Sequence, residues 1–218
     1  VLMIGLSYLS SNREIPQENL FDQIIEGIRY VRTQRSIIAV LAITLIINLL
    51  VVPYTSMWPV IGKDELGLSA FPIGILAAAD GAGGLVASII FAFWSTKRFN
   101  QVFIFGSIVY IAMILMFSFS TLYVLSVLFL FLAGFGHAGF FIGQSTLIFT
   151  QPNSALRGRV MGLLAMIIGL QPLGVLHAGF LADFFGGSTA VTIIMVEGLI
   201  GMGLCWLLWP EMSRYDVQ

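Results

Sequence analysis

Six stretches of this chain are apolar around the whole circumference of a helix, and the polar connections between them alternate in character. The stretches cover residues 36–59, 69–94, 101–118, 123–149, 159–185 and 188–209. Each holds about 18 or more mainly apolar residues, enough at ~1.5 Å rise per residue to cross a ~30 Å hydrocarbon layer. A soluble helix of that length would carry a continuous polar stripe, whereas here polar residues stand singly. The pattern predicts an all-α polytopic membrane protein, with a six-helix transmembrane bundle over residues 36–209.

The basic residues set the threading. Arg13, Arg29, Arg32 and Arg35 precede the first stretch, Lys97 and Arg98 separate the second from the third, Arg157 and Arg159 the fourth from the fifth, and Arg214 follows the sixth. Lys63 alone lies in a connection of the opposite parity. Because basic loops stay on the cytoplasmic side during insertion, the segment before residue 36 and the tail 210–218 are both expected in the cytoplasm. An even number of crossings agrees with that, and the membrane implied is the plasma or inner membrane. Composition adds exclusions. The chain is 58% hydrophobic and 10% charged, against about 25% charged in soluble proteins. A net charge of −1 without any basic block argues against a nucleic-acid partner. Cys205 is the single cysteine, so no intrachain disulfide or CxxC pair exists, and beside Trp206 it reads as a small buried residue.

The first ten residues, VLMIGLSYLS, resemble the end of a further membrane helix but reach only ~15 Å. They lack the basic flank and cleavage site of a signal peptide, and the expectation is the C-terminal part of a longer protein. Residues 11–35 form a linker. Within it Leu20, Phe21, Ile24, Ile25, Ile28 and Val31 recur at helical spacing, with Glu18, Asp22 and Glu26 leading and Arg29, Arg32 and Arg35 trailing, as the helix dipole favours. This predicts an amphipathic helix lying on the cytoplasmic membrane surface as a linker, with a regulatory partner as the alternative.

Three strings carry a family resemblance: IIEGIRYVRTQRSI (24–37), ALRGRVMGLLAMI (155–167) and PLGVLHAGFLADFFG (172–186). In this order, with the alternating charge, the chain resembles the second half of the major facilitator superfamily of secondary transporters. It is most similar to the bacterial drug and siderophore efflux branch that includes enterobactin exporters. The resemblance implies two six-helix bundles with substrate bound at midplane between them, this chain being one half of a twelve-helix transporter. It also implies partners: a small-molecule substrate, a proton as coupling ion, the lipid bilayer and a missing N-terminal half. The superfamily's cytoplasmic acid-Arg-x-Gly-Arg loop has its counterpart at Ser95–Asn100, where only the basic pair Lys97 and Arg98 remains, so a gating role there is weakened.

An acid at mid-span costs ~2.5–3.5 kcal/mol by insertion scales and should face a cavity or a partner. Asp80, in AAADGAGG, is such an acid. It reads either as a proton carrier, ionised when facing water and neutral when occluded, or as a structural acid at the interface between halves. Gly81, Gly83 and Gly84 leave room beside it for a helix or for water. Glu197, also at mid-span, reads as structural beside Gly198 and Gly201, because the resembled fold makes the last helix peripheral. Asp183 stands near the outer end of its stretch, within reach of headgroups or the helix end. Thr44, Asn48 and Thr55 share one helical face, close to Tyr54, and His137 and Gln144 share another. In the resembled fold both helices line the central cavity, with walls such as Phe140 and Phe141, so these side chains are candidates for substrate contact. His137 is alternatively a neutral histidine bonded to a neighbouring helix. Gln171, before Pro172, marks a site residue or a hinge. Arg157 and Arg159 are expected to anchor a cytoplasmic turn to anionic headgroups.

Other motifs dissolve on inspection. Gly134, Gly136 and Gly139 spell GxGxxG, but inside a membrane helix they read as close packing rather than a dinucleotide site. His137 and His177 stand 40 residues apart without a zinc pattern, and neither a P-loop nor a nucleophile elbow is present. No cofactor or metal is implied. The expectation is proton-coupled efflux of an amphipathic small molecule or siderophore. A non-transporting scaffold or sensor module is the alternative, and an intramembrane enzyme is disfavoured because no nucleophile and base converge.

Overall fold

The computed structural model describes residues 20–94 and 98–210. The N-terminal stub 1–10, Arg13, Lys97, Arg214 and the tail 211–218 lie outside the described residues. A surface helix, Leu20–Thr33, leads into six spans: Arg35–Glu65, Ala70–Phe93, Phe99–Ser118, Tyr123–Thr150, Arg157–Phe185 and Gly187–Leu208. Most ends agree with the hydropathy pattern within two residues. The first span differs, running six residues past 59 and carrying Lys63, Asp64 and Glu65 on its last turn. Hydropathy marks where lipid ends, while helical hydrogen bonding continues into the polar boundary.

That span is not uniformly α-helical. Its α-helix ends at Ile46, a π turn covers Ile47–Val51 and a 3₁₀ turn covers Val52–Met57. Pro53 lacks the N–H that a continuous helix would use, and the altered turns absorb the mismatch. The fifth span breaks as well, between Arg157–Ile168 and Gln171–Phe185, with Pro172 in the first turn of the second piece.

The fourth span is the keel of the bundle, with the second and third packed along it. Glycines set these crossings. A Cβ on Gly83 would strike the Phe131 carbonyl, and one on Gly134 would strike the Asp80 carbonyl. On the other flank, Gly136 faces the Tyr110 amide, Gly106 faces Phe140 N and Gly143 faces the Phe103 backbone. Gly134, Gly136 and Gly139 are therefore packing positions, as their place inside a membrane helix predicts. Gly174 of the fifth span fits under the Leu49–Pro53 bend of the first, and Gly198 and Gly201 of the sixth meet Val51 and Ile46.

Both ends of the first span are tied down. At one end the Glu65 carboxylate accepts the Ser188 backbone N–H at 2.7 Å and the Ser188 hydroxyl, which caps the start of the sixth span just after Gly186 at φ +82°. At the other, the surface helix docks on the start of the fifth span through Gly27 and an ion pair between Glu26 and Arg159, and the Asn153 N–H donates to Tyr30 Oη at 3.2 Å. Arg159 is held by Glu26. Among its described side chains, the surface helix turns Gly27 and Val31 inward and Ile25 and Ile28 outward. The reason is shared: the helix buries its flank against protein, so its carboxylate reaches a basic loop first.

The crossings give a sharp test. Gly134→Val, whose added atoms meet main chain that cannot rotate aside, should lower stability by about 3 kcal/mol or more and abolish a monodisperse folded species in detergent. Gly81→Ala, with no neighbouring atom within 4 Å of its Cβ, should leave the thermal midpoint unchanged or raise it. Fluorescence-detected size exclusion after heating reads both.

Candidate functional site

Four consecutive spans each send one polar or aromatic side chain to the same depth of the bundle. Tyr54 stands in the 3₁₀ turn of the first span, Asp80 near the middle of the second, Tyr110 in the third and His137 in the fourth. The Tyr54 hydroxyl donates to Asp80 Oδ1 at 3.1 Å. The Tyr54 and Tyr110 rings meet edge to face at 6.0 Å, and Tyr110 stacks on His137 at 4.6 Å with the planes 7° apart. Trp58 closes the other edge of Tyr54, and Phe140 the far side of His137. Both tyrosines are fully buried, whereas Asp80 and His137 are half-buried at the border of the bundle.

Local packing explains the convergence. The Asp80 main chain rests on Gly134, the Tyr110 main chain rests on Gly136, and His137 is the next residue along. The glycines that bring the helices together thus also fix the heights of the polar groups. The Tyr54 donor meets the carboxylate whether it is ionised or protonated, so neither state is left without a hydrogen bond in lipid. Asp80 and His137 lie within Coulombic reach of one another. An acid and an imidazole so placed can accept and release protons.

Other candidates are placed differently. Thr44 and Asn48 are buried, and Asn48 Nδ2 donates to the Thr44 carbonyl at 2.9 Å. Gln144 is 3% exposed. These three turn into the bundle's own interior, so in this conformation they do not present a wall to a cavity between two halves. Spacing alone identified a shared face but not its direction, because both sides of such a helix are apolar. Thr55 is half-buried and its hydroxyl donates to the Val52 carbonyl at 3.0 Å, and Gln171 is half-buried at the break in the fifth span. Asp183 is exposed. Arg157 has its Nε buried without a hydrogen-bond partner.

One polar pair has no counterpart in the sequence reading. His177 Nε2 and Glu197 Oε2 are 3.0 Å apart across the fifth and sixth spans, with side chains 39% and 38% exposed. Both stand about equally far from the connecting Gly186, nine residues before and eleven after it. In an antiparallel helical hairpin, equal distance from the turn means equal depth, and that signal identifies the pair. Tyr54 and Asp80 obey the same rule, each thirteen residues from Gly67. Glu197 is accordingly a partnered side chain, and Gly198 beside it supplies the close packing expected there.

His177→Ala and Glu197→Ala should each destabilise the protein, while the double variant loses about 0.6–1.7 kcal/mol less than the sum of the two. Unfolding in mixed micelles at neutral pH measures this, and strict additivity would show that the pair contributes nothing.

The family model described as transmembrane secretion effector, of the major facilitator type, matches residues 4–211. No curated protein and no solved structure matches significantly. Six apolar helices, their glycine crossings and this match over nearly the whole chain agree: the protein belongs to the transmembrane secretion effector family of the major facilitator superfamily, multi-pass membrane transporters.

Proposed function

We propose that this chain forms one half of a secondary active exporter that moves an amphipathic small molecule, the siderophore class included, in exchange for protons. The observation that carries this reading is Asp80: a mid-membrane acid held by the Tyr54 hydroxyl at the border of the bundle rather than in its core. Thr44 and Gln144, by contrast, are shut inside, and the part-exposed His177 and Glu197 answer each other directly. A group that must exchange protons with two sides needs access, which half-burial provides.

The uneven covering of the spans supports a second bundle. In the most apolar part of the second and fifth spans only 22% and 17% is buried, against 56% in the first. Those two helices present faces for the other half, and Asp80 lies on one of them. Rocking of the two halves would then expose Asp80 alternately to each side. The charge alternation supports placing the surface helix and the C-terminal tail in the cytoplasm, with the protein in the plasma or inner membrane.

In cells loaded with a fluorescent amphiphile, Asp80→Asn should abolish efflux or uncouple it, leaving transport that no longer responds to collapse of the proton gradient. Tyr54→Phe, which removes the donor to Asp80, should slow efflux about 10-fold while preserving its response to the gradient. Wild-type, gradient-sensitive efflux by Asp80→Asn would sink the proton-carrier assignment. Absence of any flux from the wild-type protein in its native membrane would favour a non-transporting role.

A further inference from the structure

A cavity of 720 Å³ lies between the second and third spans, against the fourth. Its volume is within the ~300–1,000 Å³ usual for small-molecule sites. Its origin is the glycine packing. Where Gly106 of the third span meets Gly136 and Gly139 of the fourth, no side chain among the described residues fills the space above the contact, and these three glycines form the floor. Aromatic rings form the walls: Phe91 and Trp94 stack with centroids 6.3 Å apart and planes at 16°, and Phe105 stands opposite, 69% exposed.

The polar groups of this cavity are confined to one end. Trp94 closes the second span, Arg98 immediately precedes the third, and Gln101 lies one turn further along. This is the depth at which membrane helices meet headgroups. The rest of the cavity runs along the spans at hydrocarbon depth. An amphiphile with an anionic head and an apolar body, standing in its own leaflet, satisfies both ends at once. A guanidinium suits phosphate oxygens because its planar fork can donate to two of them.

We propose that this cavity is a binding site for a phospholipid with a net negative charge, drawn from the leaflet at the Arg98 end. Its phosphate is received by Arg98 and Gln101, and an acyl chain lies over Gly106, Gly136 and Gly139 between the rings of Trp94 and Phe105. A zwitterionic lipid offers the same chain but an ammonium that offsets the attraction to Arg98. One basic side chain near the surface gives a preference of about fivefold for the anionic lipid.

Trp94 reports on the site directly. With Trp58, Trp206 and Trp209 replaced by Phe, the protein is reconstituted in phosphatidylcholine vesicles containing small fractions of dibrominated phosphatidylglycerol or dibrominated phosphatidylcholine. Half-quenching of Trp94 should require about one-fifth as much of the glycerol lipid. Arg98→Gln should remove that preference without changing quenching by the choline lipid, and Val102→Phe, which fills the cavity from its wall, should reduce quenching by both. A protein retaining only Trp206 controls for attraction to the surface at large and should show no change with Arg98→Gln. Native mass spectrometry of the unsubstituted protein, counting retained glycerol against choline lipids, reads the same preference with every tryptophan in place. Equal quenching by the two lipids, or a preference that survives Arg98→Gln, overturns the assignment. Quenching by neither lipid means that protein covers the cavity and overturns it equally.

Discussion

In lipid every backbone N–H and C=O must be bonded within its own helix, so none is left to join one helix to the next. Nor does the hydrophobic effect favour helix on helix, because the surrounding chains are as apolar as leucine. What remains is fit. In this protein fit is achieved by main chain laid against main chain at Gly83, Gly134, Gly136, Gly106 and Gly143, and the fourth span receives its neighbours on both flanks this way. The polar cluster inherits its geometry from those contacts. Asp80 and Tyr110 stand at the same height because their main chains rest on glycines two residues apart in the same helix.

The first span obeys a different local rule. Its π and 3₁₀ turns interrupt the regular α-helix around Pro53 and deliver Tyr54 to Asp80. Helical irregularity is expensive in a membrane unless protein surrounds it. Here Gly174 of the fifth span fits beneath the bend and Val51, inside the π turn, meets Gly198 of the sixth. The two ends are tied as well, by Glu65 to Ser188 and by the surface helix to the start of the fifth span. Bend and ends together hold the first, fifth and sixth spans as one body. The proposed rocking of a rigid bundle requires such a body.

Hydropathy and charge were enough to read the six crossings, because the bilayer imposes length and apolarity on each span separately. The glycine contacts were legible too, since GxGxxG inside an apolar run admits few readings other than packing. Orientation was not. A helix apolar on all sides carries no mark of which face is inward: Thr44 and Asn48 turn into the bundle while Thr55 on the same stripe is half-buried, and Gln144 turns inward while His137 stands at the border. His177 reads in the sequence as a lone histidine without a zinc pattern, and only its distance from Gly186 relates it to Glu197. Tyr110 is one aromatic residue among many, and only the third dimension shows it lying on His137. Both omissions have one cause: contacts between helices depend on turn position and crossing angle, which periodicity within a helix does not encode.

Among the described residues, two acid–histidine arrangements differ in a way that bears on the proposed proton coupling. Glu197 and His177 touch at 3.0 Å, so whatever charge one carries is answered by its neighbour within a single hydrogen bond. Such a pair satisfies itself and has little reason to respond to access from outside. Asp80 and His137 are instead linked through the buried rings of Tyr54 and Tyr110, with a hydrogen bond at one end and a stack at the other. The rings are packed as tightly as any core and hold their places, while the groups at the two ends stand at the border of the bundle. A proton arriving at Asp80 therefore changes the charge of an exposed face without requiring the interior to repack. If a second bundle lies against that face, neutralising Asp80 lowers the cost of closing over it, because an unpaired carboxylate is what lipid or apolar protein penalises most. On the proposed mechanism, a rigid core with a chargeable rim would let protonation bias closure of one half upon the other.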